Sequence, residues 1–357
     1  MDTISLIQGN ILTPVVLFFI LGIVATRVKS DLKIPEAISS ILPIYLLAAI
    51  GLHGGVEMRK TGLENVAIPI LVAVVLAIAL TVYHYQILRR LGKFNFFDSY
   101  ALASTYGSVG AITFSVGLIF LRNLNIESEG FLAAVLAVLE PVSLTFCIFM
   151  VNRSILKQKK SQISKTGTVN EKEVSKQSND RDTNSIVDAA EETSHSMRKI
   201  LHDSITGKAI IILLGSIVIG YLIGEHGFAS IEPVFEDMFA GAVAIFLLEM
   251  GLVAGQRLGE VKKVGIFLLG FAIVVPTING ILGVVVAYLM GLSMGGSIMF
   301  GLLLGSASFI AAPAVLRTAV PQANPSLYIT AGLGITFPYN IIALLPIMYI
   351  VASKLYA

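Results

Sequence analysis

The chain of 357 residues is 55% hydrophobic and only 13% charged, and its mean hydropathy is +0.83. Soluble domains carry about a quarter charged residues, so this composition excludes an ordinary soluble protein. No stretch alternates apolar and polar residues as the strands of an outer-membrane barrel do. The single cysteine, Cys147, lies in an apolar run, which excludes a disulfide framework and a thiolate metal site. The sequence therefore predicts an all-α polytopic membrane protein.

Ten apolar runs approach the length of about 20 residues with which a helix crosses the core of a bilayer. The first run has neither a basic leader nor a small-residue cleavage site, so we expect a retained helix rather than a signal peptide. The predicted spans are 11–27, 36–55, 65–88, 98–121, 130–151, 207–224, 234–255, 263–290, 295–319 and 326–352.

A polar segment separates the fifth span from the sixth. Residues 152–206 are rich in Ser, Thr, Asn, Gln, Lys and Glu, and such a composition buries too little apolar surface to fold by itself. We therefore divide the chain into a first five-helix repeat at 1–151, a polar linker at 152–206 and a second five-helix repeat at 207–357.

The two halves can be aligned on each other at an offset of about 200 residues. Because each half has an odd number of crossings, the second half must be inserted upside down, which predicts a 5+5 inverted repeat. The residues that align are Leu47, Gly51, Leu52 and Gly55 with Leu247, Gly251, Leu252 and Gly255, Gly107-Ser108 with Gly305-Ser306, Leu121-Arg122 with Leu316-Arg317, and Pro141 with Pro338.

Lysine and arginine in the short loops predict the orientation, because cytoplasmic loops carry an excess of both. The excess falls on the side of the linker. We expect a multi-pass protein of the inner (plasma) membrane, with the linker in the cytoplasm and both termini outside.

Two spans are interrupted by short runs of small residues. Gly107-Ser108-Val109-Gly110 breaks the fourth span and Gly305-Ser306-Ala307-Ser308 breaks the ninth. Broken helices in corresponding places of two halves point to a transporter's central site, since the free N–H groups and positive end of a half-helix bind an anion. The alternative is that small residues only let helices pack closely. The candidate anion-binding residues are Gly107, Ser108, Gly110, Thr113, Gly305, Ser306 and Ser308.

Two carboxylates lie deep in apolar spans, Glu140 directly before Pro141 and Glu249 in the seventh span. A charge at this depth costs about 3 kcal/mol even on insertion scales, so each should face a cavity or a cation, or else be a hydrogen-bonded packing acid. We assign a coupling cation to Glu140 and Ser306. His53 and His84 lie towards span ends, where interfacial positions are ordinary, and receive no role.

Enzyme motifs are missing from the sequence. It has no HExxH, no GxSxG in a strand–turn–helix context and no P-loop lysine motif. We predict that the chain is not an enzyme, needs no cofactor, holds no metal other than sodium and binds no nucleic acid. Energy for transport must then come from an ion gradient or from the gradient of the solute.

Three segments of the chain resemble the sodium-dependent bicarbonate transporter family of cyanobacteria and other bacteria. The resemblance implies a five-plus-five inverted repeat, a homotrimer, an anion held between two broken helices, sodium coupling, and a soluble PII-like regulator on the cytoplasmic side. The segments are Ile34–Ile38 leading to Ile50–Gly55, Ser293–Gly296, and Leu316–Ile329.

The site motifs depart from that family. The second break of the family ends in aspartate, and Phe309 stands where the acid would align. In the first break Thr113 remains, but Gly110 and Ile112 replace hydroxyl residues. The sequence thus predicts a secondary active transporter that imports a small inorganic anion, by resemblance bicarbonate with sodium. The alternatives are a transporter of a small organic carboxylate on the same scaffold, or a membrane sensor derived from it.

Overall fold

The structure is a computed structural model that describes residues 9–62, 64–166, 207–261 and 264–357, and these residues form helices and no strands. The predicted linker therefore lies mostly outside the described residues. The helices are α1 (Pro14–Arg27), α2 (Glu36–Thr61), α3 (Glu64–Arg90), α4 (Phe96–Gly107), α5 (Ala111–Asn123), α6 (Leu132–Thr166), α7 (Lys208–Ala229), α8 (Phe239–Val261), α9 (Ile266–Leu289), α10 (Met294–Leu304), α11 (Ala311–Ala319) and α12 (Pro325–Leu355).

Eight helical segments of the described chain are long and apolar enough to cross a bilayer. They confirm a polytopic membrane protein. The first predicted span is a helix of 14 residues, and the ninth is divided into helices of 11 and 9 residues. Ten crossings therefore stay a prediction. The apolar part of α6 ends at Val151 as predicted, but the helix itself continues to Thr166.

The helices pack as two bundles. In the first, called the four-helix bundle, α2 packs along α7 and α1 packs along α8. The second, called the break bundle, contains α3 to α6 and α9 to α12, in which α3 packs on α4 and α6 while α9 packs on α10 and α12. The first helix of each half thus pairs with the second helix of the other half.

Glycines set the close approach within the four-helix bundle. A Cβ atom at Gly55 would lie 2.0 Å from the Ile217 carbonyl oxygen, and one at Gly251 would lie 2.1 Å from that of Phe19. Distances this short mean that the backbones touch, so any side chain at these positions would push the helices apart. These glycines therefore allow close helix packing, as small residues do in membrane helices.

The last helix is irregular. Within α12 the segments Thr330–Thr336 and Asn340–Leu344 are π-helical, and α-helical turns lie around them. Each π-helical stretch accommodates extra backbone in the helix, a feature common at functional sites. Asn340 uses this position to donate from its side-chain amide to the Gly305 carbonyl, at 3.1 Å. The irregular helix thereby supports the second break from behind.

Candidate functional site

Both predicted breaks are present. Helix α4 ends at Gly107, the backbone is extended at Ser108 and Gly110, and the chain resumes as α5. Helix α10 ends at Leu304 and the chain resumes as α11, with Pro313 in its first turn, where a missing N–H costs nothing.

The two breaks bind each other. The Gly110 N–H donates to the Ser306 hydroxyl at 3.0 Å, and the Ser308 N–H donates to the Thr105 carbonyl at 2.9 Å. A backbone N–H of each break is therefore bonded by an acceptor from the other half of the chain. Buried backbone groups left without such partners would each cost several kcal/mol in hydrocarbon.

Gly107 and Gly305 support the breaks rather than line a cavity. A Cβ atom at Gly107 would lie 2.0 Å from the Thr81 hydroxyl on α3, and one at Gly305 would lie 2.7 Å from the Pro276 carbonyl on α9. The Gly107 carbonyl also accepts a hydrogen bond from Ser143 on α6. Both glycines let the break approach the helices packed behind it.

The three candidate serines make hydrogen bonds within the protein. Ser108 donates to the Glu140 carbonyl at 3.1 Å, Ser306 donates to the Leu303 carbonyl at 2.9 Å, and Ser308 accepts from the Ala312 N–H at 3.1 Å. The hydroxyl of Thr113, in the first turn of α5, is buried and has no partner within the described residues. Thr113 is therefore the candidate hydroxyl without a hydrogen-bond partner in the described part of the chain, and it lies beneath the cavity wall rather than in it.

A cavity lies where the two breaks face the four-helix bundle, and we call it the break cavity. It is open on one side and has about 460 Å³ of empty space, of which about 70 Å³ can hold the centre of a water molecule. Gly110, Ser308 and Glu140 are the predicted site residues that line it. Sequence reasoning missed the walls contributed by α2 and α7. The full lining is Pro43, Leu47, Val109, Gly110, Ala111, Ile112, Glu140, Ala209, Ser308, Phe309, Ile310 and Ala311.

Both half-helix ends at this cavity present backbone donors. The first-turn N–H groups of α5, at Ala111, Ile112 and Thr113, have no acceptor among the described residues. The first turn of α11 is capped by Ser308 through the Ala312 N–H. The N–H groups of Phe309, Ile310 and Ala311, which precede or begin α11, have no acceptor among the described residues either. Backbone donors of both breaks therefore face the cavity, and they can bind an anion without any basic side chain.

Glu140 places a carboxylate in the same cavity. Its side chain is 5% exposed, and its Oε2 atom has no hydrogen-bond partner within the described residues. Pro141 lacks an N–H group, so the carbonyl of Ala137, one turn earlier, loses its helical partner. A carboxylate and a nearby free carbonyl are oxygen ligands suited to a hard cation.

A second cavity follows along the same two helices, and we call it the arginine cavity. The boundary between the two cavities falls between Leu47 and Ala49 on α2 and between Ile112 and Phe114 on α5. The arginine cavity has about 350 Å³ of empty space and is lined by Ala49, Ile50, His53, Phe114, Leu118, Arg122, Glu129, Gly130, Ala133, Phe235, Glu236 and Phe239.

An ion pair crosses the arginine cavity. Arg122, at the end of α5, lies 2.5 Å from a carboxylate oxygen of Glu236, in the turn before α8. The imidazole of His53 on α2 lies 3.6 Å from the other Glu236 oxygen. Arg122 also stacks on the Phe239 ring, with 5.8 Å between the guanidinium and the ring centroid. These contacts join the break bundle to the four-helix bundle.

His84 does not lie at an interface as its place in the sequence indicated. It is fully buried, and its Nε2 atom lies 2.9 Å from the Asn279 amide of α9. The prediction failed because His84 packs against Asn279 in the middle of α9, a tertiary contact that its distance from the end of its own helix does not show. The other membrane-embedded acid, Glu249, accepts a hydrogen bond from Ser39 of α2, and its Oε2 atom has no partner in the described part of the chain.

Fold and cavity together define a class: a polytopic helical membrane protein whose two broken helices meet at a small central cavity, as in secondary transporters. Within that class, the family model of the Na+-dependent bicarbonate transporter superfamily matches residues 14–353. The chain belongs to this superfamily, which confirms the resemblance found in the sequence. Membership of a transporter family agrees with the prediction of a non-enzyme. Comparison with curated proteins gives no match.

Proposed function

We propose that the chain is a secondary active transporter that moves a small anion together with a cation by alternating access. The observation that carries the proposal is the pair of cavities stacked along the interface between the two bundles. A solute bound at the breaks would be exposed to one side and then to the other as the break bundle moves against the four-helix bundle.

The finer architecture is part of the proposal: ten crossings in a 5+5 inverted repeat, with the linker cytoplasmic and both termini outside the plasma membrane. Cross-packing of α1 on α8 and of α2 on α7 supports it. The half-helices also begin alike, since Asn95 caps α4 through the Asp98 N–H and Ser293 caps α10 through the Gly296 N–H. Symmetric packing and symmetric caps are what two copies of one five-helix unit would give.

The anion would bind at the free backbone N–H groups of the two breaks, and the unpartnered Thr113 hydroxyl in the first turn of α5 would become a donor if the cavity deepens on binding. The coupling cation, sodium by family, would be held by Glu140 and the free carbonyl preceding Pro141. Ser306 was predicted as a second cation ligand and lies at the contact between the breaks. A carboxylate and a bound anion repel each other in a poorly hydrated cavity, so the cation lowers the cost of loading the anion. That electrostatic coupling is the physical basis for symport.

The superfamily makes bicarbonate the first anion to test. A homotrimer and a soluble PII-like regulator on the linker side are proposed on the resemblance alone. The decisive assay is uptake of labelled bicarbonate into proteoliposomes with and without an inward sodium gradient. Accumulation that depends on sodium supports the proposal, and the absence of any anion uptake by folded protein contradicts it.

Two substitutions, each to a residue of nearly the same shape, test the site. Glu140→Gln removes the charge that binds the cation, so sodium-dependent uptake should fall at least tenfold. Thr113→Val removes the free hydroxyl, and one hydrogen bond to a charged group is worth about 1.5–3 kcal/mol. Anion affinity should therefore fall by about one to two orders of magnitude. Glu64→Gln and Ser115→Ala are matched controls away from the cavity, and equal losses in these controls would refute the site assignment.

A further inference from the structure

We propose that Arg317 and Glu36 form a second ion pair between the bundles, called the linker-side pair, which closes the pathway on the side of the linker. It is the counterpart of the observed pair between Arg122 and Glu236, and the two pairs form in turn as the bundles move. The inference rests on the proposed alternating-access function and names two residues that carry it out.

The two pairs occupy corresponding places in the two halves of the chain. Arg122 and Arg317 each follow a leucine in the last turn of the half-helix after a break. Glu36 begins α2 and Glu236 lies just before α8, each eleven residues before the leucine at which these helices align. In an inverted repeat, the state open to the other side arises when each half adopts the conformation of the other. That exchange converts the observed pair into Arg317 with Glu36.

The half-helices α5 and α11 are packed differently, as one state of such an exchange requires. Helix α5 packs on α2 and α8 of the four-helix bundle, whereas the main contacts of α11 are with α4, α6 and α12 of its own bundle. Ile112 and Ile310, each four residues after the aligned serine of its break, are 3% and 45% exposed. The four-helix bundle therefore covers α5 and leaves α11 uncovered.

The break cavity lies on the uncovered side. Ala209, at the linker end of α7, belongs to its wall, together with Ala311 of α11 and Pro43 of α2. Along these last two helices towards the linker side, the next charged residues are Arg317 and Glu36. Both are exposed, and neither makes an ion pair with a described residue. Two opposite charges thus stand at the mouth of the cavity without being joined.

The linker end of the break bundle already touches the four-helix bundle. The Ser326 hydroxyl, at the start of α12, donates to Glu260 near the end of α8 at 2.9 Å, and the Thr330 hydroxyl donates to the same carboxylate at 3.1 Å. The turn that follows α11 is therefore held beside the four-helix bundle. A movement of the bundles about this contact is enough to bring the end of α11 towards the start of α2.

The observed pair has more support than the linker-side pair. The Phe239 ring lies against the guanidinium of Arg122, and the His53 imidazole lies beside the carboxylate of Glu236. The aligned positions in the other half hold Ser39 and Val253, which supply neither a ring nor a second basic group. The state with the arginine cavity closed should therefore be the more populated one, and it is the state that the structure shows.

Thiol labelling tests the linker-side pair. In full-length protein with Cys147→Ala and Ala49→Cys, the rate of maleimide labelling reports how often the arginine cavity opens, because Ala49 is buried in its wall. Arg317→Gln and Glu36→Gln each remove the pair that stabilises this open state. Each should slow labelling by about 1.4-fold to fivefold, the range expected for exposed ion pairs. Arg122→Gln should change the rate in the opposite direction.

Controls distinguish a pair from two separate effects. The double variant of Glu36→Gln with Arg317→Gln should label no more slowly than the slower single variant, because its second change removes a partner that is already lost. Slowing factors that multiply would overturn the inference. Arg317→Lys keeps the charge and Asp31→Asn removes an exposed acid of the same loop, so both should label at the original rate. Misfolding would expose Ala49 and speed up labelling, so it cannot imitate the expected result.

A cross-link tests the approach of the two residues directly. Glu36→Cys and Arg317→Cys in the Cys147→Ala protein should be joined by a short bis-maleimide, with the linked peptides identified by mass spectrometry. Adding Arg122→Gln should increase the yield, because it releases the competing pair. If both cysteines react with a simple maleimide and no cross-link forms in either protein, the inference is wrong.

The outcomes separate the linker-side pair from the transport function. If the protein transports an anion in proteoliposomes and no charge variant changes the labelling of Ala49→Cys, transport stands and the linker-side pair is refuted. If the variants change labelling as expected and the folded protein moves no anion, the pair stands and transport is refuted. If neither effect is found, both proposals are overturned.

Discussion

The ion pair between Arg122 and Glu236 should hold the arginine cavity closed. Arg122 belongs to the break bundle and Glu236 to the turn that leads into α8, so relative movement of the bundles must separate them. Arg122→Gln keeps the approximate length of the side chain and removes its charge. We expect the variant to favour the state in which the arginine cavity is accessible.

The free energy contributed by this ion pair follows from the solvent exposure of its two side chains. The Arg122 side chain is 40% exposed and that of Glu236 is 25% exposed, and pairs this open to solvent contribute about 0.2–1 kcal/mol. At the upper limit, 1 kcal/mol changes a two-state equilibrium about fivefold. Accessibility of the cavity should therefore rise about 1.4-fold to fivefold, and not by orders of magnitude.

Thiol labelling measures this accessibility directly. Cys147 is the only cysteine of the chain and is fully buried, so Cys147→Ala provides a background without thiols. Ala49→Cys then reports on the arginine cavity, which it lines. The rate of maleimide labelling in detergent should increase in Arg122→Gln and return to the original rate in the charge swap Arg122→Glu with Glu236→Arg. Equal rates in all three proteins would refute the reasoning.

Three further predictions concern stability. Gly251→Ala should reduce the yield of folded protein sharply, because its Cβ atom would lie 2.1 Å from a backbone oxygen of α1, whereas Gly241→Ala in the same helix has open space and should be tolerated; fluorescence-detected size exclusion compares the two. His84→Ala and Asn279→Ala should each lower stability by about 1–3 kcal/mol, since each leaves a buried partner unpaired; a double-mutant cycle in thermal unfolding should then show clearly non-additive losses. Glu129→Gln weakens the carboxylate contacts at the start of α10 and should lower the free energy of unfolding by about 1 kcal/mol. High salt should screen these contacts in the original protein, whereas Glu129→Ala, which lacks the carboxylate, should not be further destabilised by salt.

Most of the fold could be predicted because the hydropathy of a segment and its small residues determine where a helix forms or breaks without regard to distant contacts. The apolar runs indicate helices whatever their neighbours are, and the break at Gly107-Ser108 is visible from small residues alone. The end of α6 could not be placed in this way, since a polar sequence can continue a helix beyond the membrane. Hydropathy describes the lipid boundary, whereas the helix ends where its hydrogen bonds end.

The site could be predicted only in part. The sequence indicated which residues break the helices, but it could not show that Ser306 would be used to bond Gly110, because that contact depends on how the halves meet. The contributions of Pro43 and Ala209 to the break cavity are tertiary facts of the same kind. His84 was expected near the membrane interface because it lies towards the end of its own helix. It is buried, because other helices cover it in the packed molecule.

The mutual bonds of the two breaks also have a consequence for biogenesis. The Gly110 N–H is bonded by a hydroxyl 196 residues further along the chain. At a synthesis rate of about 5–20 residues per second, that partner emerges from the ribosome roughly 10–40 s after Gly110. During this interval the first half is already in the membrane with an unsatisfied donor at its centre. Until the second half joins it, the first break lacks the acceptor that it has in the folded protein, so it should reach its final form only then.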